Sequence, residues 1–189
     1  MLLRNIFALF LFTASTTIMA DTVDINLRDN SVQFQYGVSI GRDSLGSSGL
    51  HMGYLYTNNN DRFVDFGILV KEEVGSSNSG VTAGVGIKGV VASLNNNNFN
   101  TAALALGGQI RFSPAAANRL GIVGQVYFSP NIVTYRDAER FTEAVARLEY
   151  EVIPQAVVYL GYRRTSFSIV MGSEAVLDSG LHAGVRMTF

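Results

Sequence analysis

The sequence predicts an all-β fold, a single antiparallel up-and-down β-barrel that crosses a membrane with its strands. Apolar and polar residues alternate with period two along most of the chain, which is the pattern of strands and not of helices. Hydrophobic residues make up 48% of the chain, yet no apolar run reaches the 18 or so residues of a transmembrane helix. The last ten residues, 180–189, alternate strictly and end on Phe189. Apolar-out, polar-in strands are typical of bacterial outer-membrane barrels.

The first twenty residues predict a Sec-type signal peptide that is cleaved after Ala20. Arg4 gives a short basic start, residues 6–12 form an apolar run, and small or weakly polar residues lead to the cleavage site. The apolar run is far shorter than the ~20 residues that a spanning helix needs, so an N-terminal anchor is the weaker interpretation. Residues 21–189 are then one domain, the barrel.

The composition excludes several classes of function. The formal net charge is −1, which favours neither nucleic acid nor an anionic membrane surface as a partner. The chain has no cysteine, so it forms no disulfide framework and carries no thiolate chemistry. With 19 glycines, 3 prolines and only 15% charged residues, the composition is unusual for a soluble enzyme. We expect no cofactor.

Strand-like alternation recurs in nine segments from residue 31 onward. They are 32–40, 50–56, 64–70, 81–87, 104–112, 122–128, 144–152, 158–162 and 181–189. A tenth strand, 23–28, is predicted to pair with the first of these across a turn at Asp29 and Asn30. Bacterial single-chain barrels have even strand numbers, so ten strands are preferred and eight are the alternative.

Two segments admit another interpretation. Residues 141–152 are rich in Ala, Glu, Arg and Leu, which favour helix, but their strict alternation predicts a strand. Residues 84–89 have the G-x-G-x-x-G order of a dinucleotide-binding loop. That loop needs a strand, a tight turn and a helix, whereas here strand alternation continues, so the glycines are predicted to lie within a strand.

Placing Phe189 in the periplasm sets the sidedness of the turns. The loops at 57–62, 93–100, 129–140 and 167–179 then face the exterior, and the last two are the longest. Aromatic residues are predicted at both lipid–water interfaces: Phe112, Tyr150 and Phe189 at the lower one, Tyr56, Phe128 and Tyr162 at the upper one. The expected partners are outer-membrane lipid and, through Phe189, the barrel-assembly machinery; the pattern predicts no oligomeric state.

The inward-facing positions carry both signs of charge. They include Asp65, Lys88, Arg111, Arg147, Glu149, Glu151, Arg163 and Arg186. In so narrow a barrel these side chains are expected to fill the lumen and to pair across it, with inward glycines making room for them. The alternative is a pore or a solute site lined by the same residues.

No catalytic or metal-binding constellation stands out. His182 follows Asp178 and Ser179, so a hydrolase that uses His182 at the outer rim is an alternative. His51 and His182 fall on different strands and form no ligand cluster, so no metal site is predicted.

Several short segments resemble the YfaZ family of predicted outer-membrane proteins. They are 49–61, 107–109, 126–130, 135–138, 146–147, 160–163 and 183–189, in one order along the chain. The resemblance implies a small envelope barrel and brings no catalytic residues. We therefore expect a non-enzymatic outer-membrane protein of a Gram-negative bacterium with a structural or loop-mediated role. The alternatives are a narrow channel or solute-binding barrel, the hydrolase, and a soluble lipocalin-like barrel, whose polar exterior would be the reverse of the pattern in 180–189.

Overall fold

The structure is a computed structural model. It describes residues 21–43, 46–75, 80–95, 99–136, 138–169 and 174–189. The predicted signal peptide, 1–20, lies outside the described residues.

Eleven strands follow one another in the described residues. They are β1 Asp21–Leu27, β2 Ser31–Asp43, β3 Gly46–Thr57, β4 Arg62–Glu73, β5 Val81–Leu94, β6 Phe99–Phe112, β7 Leu120–Ser129, β8 Thr134–Arg136, β9 Ala138–Ile153, β10 Ala156–Ile169 and β11 Glu174–Thr188. Two three-residue 3-10 turns, Ala115–Ala117 and Asn131–Val133, lie between them. No helix in the described part of the chain is long and apolar enough to cross a membrane.

The strands close into a ten-position antiparallel barrel. Apart from the short β8, each strand pairs with the next long strand along the chain, β7 with β9, and β1 closes the sheet against β11 with Val23 opposite Met187. Strands β7 and β8 both pair with β6 and occupy one position, interrupted at Pro130 and the short turn after it. The prediction of a ten-stranded up-and-down barrel is confirmed, including the first strand and its turn at 28–30.

Both ambiguous segments are strands. The helix-favouring residues 141–152 lie inside β9, where Ala144, Leu148 and Tyr150 face outward, while Glu143 and Glu149 face the lumen together with Phe141 and Val145. The glycines of 84–89 lie inside β5.

The connections are shorter than predicted. The expected long loops at 129–140 and 167–179 are mostly strand, since β8, β9, β10 and β11 extend into them. Several outward positions beyond the apolar band are polar, as at Arg164, which pairs with Glu174. The alternation of apolar and polar residues therefore stops there, although the backbone hydrogen bonds between the strands continue. As a result, the strands predicted from the sequence end too early.

The barrel is apolar outside and polar inside. Outward side chains such as Phe66, 60% exposed, and Leu160, 57% exposed, form a band around the sheet. On β4 every outward position between Arg62 and Glu72 is apolar. Inward side chains such as Asp65 and Arg163 are buried. This arrangement is the reverse of a lipocalin-like barrel, and it fits a closed sheet whose outer face is wetted by lipid.

Candidate functional site

The lumen has two ends that differ in composition. We call the end with the turns at 28–30 and 58–61 the upper end, and the end with Asp21 and Phe189 the lower end; the amide of Phe189 donates to the carbonyl of Asp21. Because neighbouring strands run in opposite directions, inward side chains from all strands meet at each level of the lumen.

The upper lumen is filled by an apolar cluster, here called the upper plug. Its centre is three fully buried rings, with Phe141 6.1 Å from Phe63 and 5.1 Å from Phe167 between ring centroids. The plug also contains Leu55, Val90, Ala92, Leu94, Ala103, Ala105, Ala138, Ala175 and Leu177. The charges predicted to fill the lumen do not occupy this part of it, and the apolar cluster was not predicted. The sequence does contain a pattern that indicates this cluster. Apolar residues occupy inward positions near the upper turns, such as Phe63 beside the outward Val64.

An ionic cluster lies beside the plug near the upper end. Arg163 on β10 donates through Nε and Nη2 to Asp178 of β11, at 2.7 and 2.5 Å. Arg28 also donates to Asp178, at 2.7 Å, and Ser31 does so at 3.0 Å. Arg163 further donates to the side-chain oxygen of Gln33. Charge-assisted bonds of this kind compensate for burying the guanidinium and the carboxylate.

A second cluster surrounds Lys88 in the middle of the lumen. The Lys88 ammonium lies 2.6 Å from Glu143 on β9 and 3.8 Å from Asp65 on β4. It also lies 4.5 Å from the centre of the Tyr127 ring, and Gln125 donates to Glu143 at 3.2 Å. One buried cation is thereby shared by two buried carboxylates.

Arg147 joins opposite walls at a similar depth. Its Nη1 lies 3.4 Å from Asp24 on β1, and its guanidinium lies 4.7 Å from the centre of the Tyr159 ring. The Tyr159 hydroxyl donates to the same carboxylate and accepts from Asn26 at 3.3 Å. Gly161 leaves the space for Arg147, because a Cβ there would lie 2.9 Å from the Arg147 Cγ atom.

The lowest cluster is centred on Glu149. Arg186 donates two parallel hydrogen bonds to Glu149, at 2.9 and 2.8 Å, and Arg111 donates through Nε at 3.4 Å. Lys71 packs over Gly84 in the same region. In the described residues it makes no ion pair.

In the described residues, the exposure of the lumen cations decreases from the lower end upward. The side chains of Arg111 and Arg186 are 31% and 25% exposed. That of Arg147 is 10% exposed, and those of Lys88 and Arg163 are 1–2% exposed. A cavity of about 430 Å³ occupies the lower part, and its wall carries Lys71, Lys88, Arg111, Arg147, Arg186 and a single carboxylate, Asp24. The upper plug and the Arg163 cluster lie above it.

The structure places the predicted lumen residues as follows. Asp65, Lys88, Arg111, Arg147, Glu149, Arg163 and Arg186 all point inward, and each lies within 4 Å of an opposite charge. They form four clusters and not one network. Glu151 lies near the lower end and makes no side-chain ion pair with the described residues. The carboxylates Asp24, Glu143 and Asp178 were not among the predicted site residues, although each occupies an inward position of its strand.

His182 lies inside the lumen, away from the predicted position at the outer rim. The ring is buried in the lumen and packs edge-on against Tyr159, with 6.0 Å between ring centroids. Neither ring nitrogen has a side-chain hydrogen-bond partner in the part of the chain described. Asp178 is instead bound by Arg28 and Arg163, so the rim pairing on which the hydrolase alternative depends is not formed. The described residues also contain no group of three His, Cys, Asp or Glu suited to a metal.

The closed sheet, the lipid-facing band and the charged interior define an exported outer-membrane β-barrel protein. The chain belongs to the YfaZ family: the sequence model of that family, described as YfaZ precursor, matches residues 3–189. The resemblance found in the sequence is thus confirmed.

Two solved structures are similar to this chain at low sequence identity. The KdgM porin is 11% identical, with a TM-score of 0.44, and the alignment covers 91% of this chain and 99% of that chain. A chain solved in a study of the in-meso crystallization of membrane proteins is also 11% identical, with a TM-score of 0.45, covering 90% and 83% of the two chains. No curated protein matched the sequence.

Proposed function

We propose that this protein is a non-enzymatic, non-conducting barrel of the Gram-negative outer membrane with a structural role in the envelope. The observation that carries the proposal is the upper plug, in which three packed phenylalanine rings fill the upper lumen next to the buried ion pairs. An aqueous path needs continuous polar space. Buried rings and paired charges leave the lower cavity as a blind pocket.

The proposal includes the orientation and the assembly of the barrel. The signal peptide is removed after Ala20, the lower end faces the periplasm, and the barrel-assembly machinery recognises the strand that ends on Phe189. The exposed aromatic ring at the chain end, 73% exposed beside the apolar band, supports this placement. The described upper turns at 28–30 and 58–61 are short and give little surface for a role mediated by loops, which favours the structural role.

Single-channel recording in planar bilayers tests the closed lumen. Folding of the mature protein is first checked by heat-modifiable mobility on gels and by circular dichroism. We expect no defined conductance steps. Reproducible steps whose size changes in Arg111→Ala or Arg147→Ala would show that the lumen conducts and would establish the narrow-channel alternative instead.

The absence of an enzymatic role has its own test. Purified protein is assayed against phospholipid and peptide substrates beside the variant His182→Ala. We expect no turnover by either. Hydrolysis by the unmodified protein that is lost in the variant would establish the hydrolase alternative.

A further inference from the structure

The cavity wall is more positive than the lumen as a whole. Of the described residues, five cationic side chains reach the wall, whereas Asp24 is the one carboxylate that does. The carboxylates that pair with these cations, Asp65, Glu143 and Glu149, lie behind the wall and are at most 3% exposed. A solute that enters from the lower end therefore meets guanidinium and ammonium groups first.

Among the five cations of the cavity wall, Lys71 is the one that makes no ion pair with the described residues. It lies on β4, with Ser47 and Gly84 opposite it on the neighbouring strands, and it interacts electrostatically with Arg186, Glu149 and Arg111. Glu149 attracts it, but Arg186 already binds both oxygens of that carboxylate and Arg111 donates to one of them. A half-buried ammonium beside two guanidinium groups is electrostatically unfavourable unless another anion is present.

Arg111 retains free hydrogen-bonding capacity beside Lys71. Among the described residues its one side-chain hydrogen bond uses Nε, at 3.4 Å, so both terminal amino groups remain for another acceptor. A guanidinium binds the paired oxygens of a carboxylate or a phosphate especially well. The amides of Gln109 and Gln125 also reach the cavity wall and add neutral hydrogen-bonding groups.

We propose that the lower cavity is a binding site for a small anion with carboxylate or phosphate groups, held by Lys71, Arg111 and Arg186. The volume of about 430 Å³ is within the usual range of small-molecule sites, roughly 300–1,000 Å³. The inference rests on the proposed orientation, because the anion enters from the periplasm. It goes beyond a purely structural role, since the barrel then holds a solute from that compartment.

Isothermal titration calorimetry on the folded mature protein in detergent micelles tests the site. The probes are inorganic phosphate and citrate at constant ionic strength, with spermidine as a probe of opposite charge. We expect saturable binding of at least one anion and none of spermidine. Lys71→Gln is expected to weaken the binding about tenfold or more, since a charge-assisted bond is lost, and Lys71→Arg to retain most of it.

Arg164→Gln is the matched control, because it removes one positive charge from an exposed residue at the upper end. It should change the affinity by less than about twofold. Arg111→Gln is a second site variant in case Lys71→Gln does not fold, as judged by circular dichroism.

Binding of phosphate alone or citrate alone supports the proposal and identifies the preferred group. The proposal is overturned if neither anion gives saturable heat with folded protein, or if both site variants bind as tightly as Arg164→Gln. Conductance is measured separately. A barrel that shows no conductance steps and binds no anion would therefore contradict the proposed site but not the proposed function.

Discussion

Replacing Lys88 by methionine should destabilise the barrel far more than removing an exposed cation. Lys88 is 1% exposed, and its ammonium lies 2.6 Å from Glu143 and 3.8 Å from Asp65. Lys88→Met keeps a similar volume but leaves two buried carboxylates without their cation. Breaking a buried pair in this way costs about 3–5 kcal/mol of the free energy of unfolding.

The second partner permits a double-mutant cycle. Glu143→Gln alone should cost less, about 1–3 kcal/mol, because Asp65 remains near Lys88 and the amide oxygen still accepts its hydrogen bond. The double variant should lose less than the sum of the two single losses, by about 1 kcal/mol or more, since the two residues interact directly.

The assay is guanidinium unfolding in detergent micelles, followed by far-UV circular dichroism because the chain has no tryptophan. Arg164→Gln is the control. It breaks an exposed pair with Glu174, worth about 0–1 kcal/mol. A loss for Lys88→Met no larger than that of the control, or strictly additive losses in the cycle, would refute the assignment of Lys88 as a buried counter-ion.

Three further predictions concern the plug, the outer face and the chain end. Phe141→Ala, which removes the central ring of the upper plug, should lower the free energy of unfolding by about 3–5 kcal/mol in the same assay, whereas Phe112→Ala on the outer face should cost clearly less. Phe66→Arg places a charge in the lipid-facing band and should cost about 2–4 kcal/mol in lipid vesicles; equal stability of this variant would place Phe66 outside the membrane. Deletion of Phe189 should lower the amount of folded, heat-modifiable barrel in the outer membrane of cells without changing the ion pairs of the lumen, and unchanged levels would remove the proposed role of this residue in assembly.

The barrel itself follows from local information. The period-two alternation predicts the strands, and the polarity of alternate residues predicts which face of the sheet they occupy. In β11, for example, Leu181 and Val185 point outward and His182 and Arg186 point inward. The register in a barrel cannot slip by one residue without moving charge into lipid, so the pattern also fixes the pairing. Ten strands follow from counting the segments.

The strand ends and the interior required the tertiary structure. Above the apolar band the outward side chains face water, so the alternation ends before the ladder does, and β9 to β11 are longer than the pattern shows. The sequence predicts that a side chain lies on the inner face of the sheet. It does not predict the height of that side chain along the barrel axis or the side chain with which it pairs.

The sequence by itself determined a closed sheet with lipid outside and charge inside, because alternate residues of each strand lie on opposite faces of the sheet and differ in polarity. The tertiary structure decided which inward residues meet. The stagger of the strands brings Asp24 of β1 to Arg147 of β9 and gathers Phe63, Phe141 and Phe167 at the upper end. Those contacts join residues far apart in the chain, and they are what close the lumen above and leave a cationic pocket below.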